Sequence, residues 1–526
     1  MDLNLPLALL ALSSALVIGG RAILVRPRAW SWLAVAIAIL AAAGVSYLLA
    51  PRLAGFAAFG VWALFVLGPM LLSRVQATAL LRQRYGTASI ASRALVLLHP
   101  SRGHRAAAAR ARAYVAAAHG DVERAKRELD RYARFGRMNA AEAELEKVRL
   151  GTDEAAIREV LASTLDLPFP TLAHGRVRAL AEIGERDEAF RRFREAERAF
   201  EGDAAISLRT AAYLLLFAEA GRVRDVESIF AARLRGASKD LQELWIACAR
   251  FAAGDPAGEK RLRALMSSPD GLVRRAAQIR LSTTRQTGPL SPEDAQLCDR
   301  FAARLAEEDR FRFGSTAAKR PVITHAIALL ILAVLGLEEL SGGATDTDTL
   351  QRLGALSAAA VLEGREYWRL VAPLWLHYGV AHAVFNLLGL YVLGPFVERA
   401  LGRERFTIVY LLSGLFGTTL FVVRSALFPG HDEVLVGASG CIMGLLGASV
   451  AILYRGAFHE RSLSARRRLG LMGFVLVAQT AFDLLIPEIS AFAHVVGALT
   501  GLVFGLWLTA GGARTESPSR LPRTAR

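Results

Sequence analysis

Nine apolar runs constrain this chain more than any other feature of its sequence. A run of about 18 residues is long enough to cross the hydrocarbon of a bilayer as a helix. Three runs open the chain, at about 3–25, 30–50 and 53–73, and six follow later, at about 321–338, 379–397, 405–424, 436–454, 469–486 and 491–510. Lipid offers the backbone no water to bond with, so each run must satisfy its own N–H and C=O groups as a helix. The gaps within the second block are short, which predicts one compact bundle there. The chain is 53% hydrophobic, above the usual share for a soluble protein, and the excess sits in these two blocks. The opening Met-Asp-Leu-Asn has no basic stretch before its apolar run, which reads as a membrane helix rather than a cleaved signal peptide.

Charge sets the expected orientation. The net charge is +16, and much of it abuts the apolar runs, as the positive-inside bias requires. Arg21, Arg26 and Arg28 follow the first run; Arg455, Arg461, Arg466, Arg467 and Arg468 fill a later gap; Arg514, Arg520, Arg523 and Arg526 lie in the tail. Placing these in the cytoplasm puts the N-terminus outside. The acidic segment 339–376 and the loop His431-Asp432-Glu433 also fall outside, and nine spans satisfy every loop together. The basic residues form no aromatic-interleaved patch of the kind that binds single strands, so no nucleic-acid partner is expected. Cys248, Cys298 and Cys441 are far apart, which argues against a disulfide framework and a cysteine zinc site.

The stretch between the blocks, 76–318, reads as helical, rich in Ala, Arg, Leu and Glu at helical spacing. Turn elements recur at Gly120-Asp121, Gly151, Gly184-Glu185, Gly221 and Gly254-Asp255, in steps of 31, 33, 37 and 33 residues. Tetratricopeptide-type hairpins repeat at about 34 residues. An irregular helical domain with glycine C-caps is the alternative.

Three elements carry chemistry. Gly437-Ala438-Ser439-Gly440 opens an apolar helix, and Gly440, Gly444 and Gly447 also suit a plain helix-packing face. Position 441 is Cys, so this is not the Gly-x-Ser-x-Gly elbow of soluble hydrolases. His494 lies near the outer end of the last run, with Gly497, Gly501 and Gly505 at four-residue spacing beyond it. If the two glycine faces pack together, His494 comes level with Ser439. A serine hydroxyl needs a base to become a nucleophile, and histidine is the usual one. His382 and Asn386 lie four apart on one helix face. Both can donate to an oxyanion, as can the Ser439 backbone N–H, or they can serve only as interhelical hydrogen bonds. No HExxH, P-loop or dinucleotide fingerprint is present, so no metal or cofactor is expected.

Taken together these motifs resemble the rhomboid family of intramembrane proteases, over about 321–510. The matching residues are Trp368-Arg369 with Pro373 and Leu376-His377, His382-xxx-Asn386, Glu398 and Gly402, Gly437-Ala438-Ser439-Gly440, and Ala493-His494-xx-Gly497-xxx-Gly501. The resemblance implies a six-helix bundle that cuts a substrate's transmembrane segment near its outer end. Ser439 would be the nucleophile and His494 the general base, with no third carboxylate. Asn386, His382 and the Ser439 amide would form the oxyanion site, Trp368 and Arg369 would hold the first loop, and Gly497 would permit close helix contact. The family often carries an aromatic four residues after the serine, stacked on the histidine; here that position is Met443, whose thioether can pack on an imidazole.

The expected architecture is all-α and polytopic: three membrane helices in 1–75, a cytoplasmic helical repeat-like domain in 76–318, a six-helix bundle in 319–510 and a basic tail in 511–526. The expected partners are membrane-protein substrates, the lipid bilayer and a cytoplasmic protein that binds the helical domain. The Ala- and Arg-rich composition suits a bacterial inner membrane. The competing reading is a proteolytically silent adaptor of the same family. A transporter is disfavoured, because the polar residues lie near one surface and no inverted repeat is visible.

Overall fold

The computed structural model describes residues 4–24, 30–150, 154–163, 170–201, 206–283, 285, 288–311, 321–428, 434–485 and 490–510. The expected turn at Gly151, Arg26 and Arg28, the His431-Asp432-Glu433 loop and the basic tail lie outside these residues. The protein is an all-α polytopic membrane protein: the described residues contain helices and a single isolated β-bridge, with no strand. Helices occupy all nine apolar runs. Seven described helices are long and apolar enough to cross a membrane: Trp30–Leu49, Pro51–Leu81, Val322–Leu340, Gly379–Leu401, Arg403–Leu427, Ser439–Phe458 and Ala491–Thr509. Of the other two, Asn4–Leu24 carries a shorter apolar stretch, Leu7–Ile23, and Leu463–Leu485 spends its first turns on Arg466, Arg467 and Arg468. The third run does not stop near residue 73. Pro51–Leu53, Ala54–Trp62, Ala63–Leu67 and Gly68–Leu81 follow without a gap, with one wide turn over Ala63–Leu67.

The chain divides into two compact units, residues 2–303 and 304–526. In the first, small residues let the opening helices approach closely: Ala11, Ala15, Ala36 and Ala58 are buried with Val35 and Ile39. Asn4 accepts from the Gly55 N–H at 2.6 Å, and Trp62 donates to Ser14 at 2.8 Å. Beyond them the helices come in hairpins. Gly120, Gly184, Gly221 and Gly254 each take a left-handed φ, between +69° and +84°, at the turns between paired helices. Glycine adopts that conformation without a β-carbon penalty, which is why it ends the first helix of each pair. At two of these turns the next residue starts the second helix. Asp121 accepts from the Arg124 N–H and Asp255 from the Ala257 N–H, satisfying donors that the first turn leaves open.

The second unit holds the bundle. Its core contains Phe396, Phe406, Tyr410, Cys441, Leu445 and Leu453, all almost wholly buried. At one end Glu398, buried on helix Gly379–Leu401, caps helix Val322–Leu340. It accepts from the Ile323 N–H at 3.0 Å, the Thr324 N–H at 2.8 Å and the Thr324 hydroxyl at 2.7 Å. A carboxylate at a helix N-terminus also meets the positive end of the helix dipole. Glu398→Ala strips three donors of their acceptor. It should cost about 1.5–3 kcal/mol or more, by the scale for a hydrogen bond to a charged group. The readout is a clear drop in Tm in detergent against wild type, with Glu398→Gln falling between.

Candidate active site

The first loop prepares the approach to Ser439. Asp346 caps a short helix, Thr347–Leu353, by accepting from the Thr349 N–H at 2.8 Å. Arg369 then gathers the loop: one guanidinium nitrogen donates to the carbonyls of Gln351 at 2.6 Å and Ala355 at 3.0 Å, another pairs with Glu366, and the group sits over the Trp368 ring. The far edge of that ring covers Gly354, where a β-carbon would collide with it. Leu356 and Leu435 exchange two backbone hydrogen bonds of 3.0 Å, and the Gly437 N–H donates to the Pro373 carbonyl at 2.9 Å. The extended segment that enters the serine helix is thereby stitched to the loop on both sides.

Gly437 has φ +128° and borders the His382 ring. A β-carbon there would lie 2.8 Å from the ring's Cε1, 2.9 Å from its Nε2 and 3.6 Å from Ser439 Oγ. The same point therefore touches both His382 and the Ser439 hydroxyl, which puts these two groups in one small space. Ser439 is the first residue of helix Ser439–Phe458. Its N–H and those of the next two residues have no partner within the helix, because the first turn of any helix leaves its donors open.

His382 and Asn386 both lie on helix Gly379–Leu401. His382 Nδ1 faces the Tyr378 N–H at 3.3 Å, and as acceptor of that proton it leaves the ring proton on Nε2, the atom beside Gly437. Asn386 is buried, and its Nδ2 has no hydrogen-bond partner among the described residues. A buried amide without a partner is expensive, so one that stands a single turn from His382 marks a place built to donate. Neighbouring His377 is wholly buried, donates from Nδ1 to the Trp375 carbonyl at 3.0 Å, and sits edge-on to His382. Burial pushes its imidazole down to about 4, with His382 adding to the effect, so it stays neutral at physiological pH.

His494 reaches this level because two helices nearly touch. Helices Ser439–Phe458 and Ala491–Ala510 run side by side in the same direction. A β-carbon on Gly497 would strike the Gly440 carbonyl, one on Gly501 the Gly444 carbonyl, and one on Gly447 the Ala498 carbonyl. Gly440 also faces the Ala493 carbonyl. With 493 and 497 both opposite 440, His494 stands level with Ser439. The two side chains make no hydrogen bond with each other among the described residues, as is common before substrate draws such groups together.

The resemblance implied no third carboxylate, yet one is present. Asp483, on helix Leu463–Leu485, places Oδ2 at 2.7 Å from His494 Nδ1, and its Oδ1 accepts from Gln479 Nε2 at 2.7 Å. Asp483 is 3% exposed and His494 7%. The signal for it is in the sequence: a lone ionisable residue inside an apolar run is functional by default. Met443 is buried one turn beyond Ser439, in a cluster with Ala438, Cys441 and Ile442.

Comparison with known proteins points to one family. Residues 364–511 match the rhomboid domain profile. The chain carries a rhomboid domain. It is 30% identical over 213 residues to the rhomboid protease GluP of Bacillus subtilis (strain 168), covering 40% of each chain. It is 35% identical over 164 residues to RHOMBOID-like protein 6, mitochondrial, of Arabidopsis thaliana, covering 31% of this chain and 50% of that one. It is 33% identical over 145 residues to the putative rhomboid protease YdcA of Bacillus subtilis (strain 168), covering 27% and 66%. The chain thus spans half or less of the length of the first two relatives.

The rhomboid domain's glycine seam gives a sharp test of this geometry. Gly497→Val should lower stability by about 1–3 kcal/mol, the usual cost of forcing volume into a packed contact. Gly470→Val, where nothing lies within 4 Å, should leave the Tm unchanged in the same detergent melt.

Proposed function

We propose that the chain is an intramembrane serine endopeptidase that cuts transmembrane segments of membrane proteins near the outer face. The observation that carries this reading is the glycine seam. It holds a histidine level with a serine at the open N-terminus of a membrane helix. In the reaction, His494 Nε2 takes the Ser439 proton as Oγ bonds to the scissile carbonyl carbon. The negative oxygen that forms accepts from the Ser439 N–H, Asn386 Nδ2 and His382 Nε2. The protonated imidazole then gives its proton to the leaving amine, and the C–N bond breaks. A water, deprotonated by the same ring, releases the acyl group and restores the hydroxyl. Hydrolysis needs water that the bilayer core lacks, and Ser439, half-buried at a helix end, suits a polar cavity open to one surface. Cuts should fall where a substrate helix unwinds easily, at Gly, Pro or small residues. Cleavage mapped to the stable centre of reporter helices would contradict that choice.

In the same reading the first three spans anchor residues 76–318 on the cytoplasmic side of a bacterial inner membrane. The hairpins there form a repeat array that binds a protein partner. Glu123 is exposed, so Glu123→Cys should react with an impermeant maleimide in inside-out vesicles and not in right-side-out ones.

Activity is tested on the full chain in liposomes with a single-span reporter. Ser439→Ala and His494→Ala should abolish cleavage, and Asn386→Ala should slow it about 10²-fold, the scale for losing one oxyanion donor. Folded wild type that leaves every reporter intact would favour the silent adaptor.

A further inference from the structure

We infer that Asp483 is a positioning residue for His494, so that the site works as a three-membered Asp483–His494–Ser439 system; this rests on the proposed protease reading. Both oxygens of the Asp483 carboxylate have partners. Oδ1 accepts from Gln479 Nε2, four residues earlier on the same helix, and Oδ2 meets His494 Nδ1, both at 2.7 Å. Gln479 fixes the rotation of the carboxylate, and the carboxylate fixes the imidazole. An ionised carboxylate only accepts, so the proton of a neutral ring must lie on Nδ1. The lone pair is then on Nε2, the nitrogen that a base for Ser439 must use. The tautomer follows from the partner and does not depend on placing a hydrogen.

The energetics favour holding the ring this way. Burying a charged carboxylate in the membrane is costly unless each oxygen is paired, and here each has its own partner. A buried imidazole that becomes charged during the reaction needs a counter-charge, and Asp483 lies at hydrogen-bond distance. The contact also ties helix Leu463–Leu485 to helix Ala491–Ala510, which sets the ring plane from outside the glycine seam. Position 443 carries a methionine and no aromatic ring, and Asp483 supplies the orientation that a stacked aromatic would otherwise give.

The experiment uses the full chain in detergent, a fluorophosphonate probe, and nitrogen-15 histidine NMR. Asp483→Asn is the informative change: the amide can turn its NH2 to Nδ1, which places the ring proton on Nε2 and disables the base. The expected result is a labelling rate about 10²-fold or more below wild type, with the Tm nearly unchanged. The His494 tautomer should switch from Nδ1–H to Nε2–H. Gln479→Ala should give a smaller loss with the wild-type tautomer kept, and it serves if the Asn variant does not fold. Wild-type labelling with Asp483→Asn within about threefold of it, or an unchanged tautomer in that variant, overturns the inference. Folded wild type that never labels instead overturns the protease reading. The tautomer measurement then still decides whether Asp483 sets the state of His494.

Discussion

The site depends on how closely two membrane helices approach. Between lipid-facing helices there is no hydrophobic gain to be had, since the surrounding tails are as apolar as leucine, so association rests on tight packing and hydrogen bonds. Glycine supplies the packing here. Gly440, Gly444 and Gly447 on one helix face Gly497, Ala498 and Gly501 on the other, with backbone carbonyls where side chains would otherwise stand. The contact fixes the register of the helices along their axes, and the register fixes which residues stand level. Gly440 directly follows Ser439, and Gly497 comes one turn after His494, so the contact between these two glycines sets the level of both side chains. A shift of one helix past the other by one turn would part them by about 5 Å.

The same scarcity of water governs the polar groups around the seam. The buried carboxylates of the bundle take partners from another element or another turn. Glu398 takes three donors from the start of helix Val322–Leu340. Glu338, fully buried, accepts from the His377 N–H at 2.7 Å. Asp483 divides its oxygens between Gln479 and His494. Glu338 Oε2 and the Asn386 Nδ2 have no partner among the described residues, and of the two only the Asn386 amide is a donor, one turn from His382. A buried open donor beside a histidine has the character of a binding site for negative charge.

Much of this is legible in the sequence, and for a physical reason. Apolar length reports membrane helices directly, so helices fill all nine apolar runs. Glycines at four-residue spacing beside Ser439 and His494 report close helix contact, which is why their common level can be read from the sequence alone. The hairpin turns at Gly120, Gly184, Gly221 and Gly254 are equally visible, since a left-handed turn all but requires glycine. Partnership between distant side chains is harder to read. Asp483 lies in an apolar run, 11 residues from His494, and nothing in local spacing says that the two helices turn these groups toward each other. The continuous course of 51–81 is hidden for a different reason: its apolar part ends before the helix does, and helix propensity carries the rest.

The central claim is that Ser439 is an activated nucleophile. It is tested most directly by treating the folded full chain with a fluorophosphonate and locating the adduct by peptide mass spectrometry. The account predicts one adduct, on Ser439, that disappears in His494→Ala. Folded wild type without an adduct, or with the adduct on another residue, would contradict it.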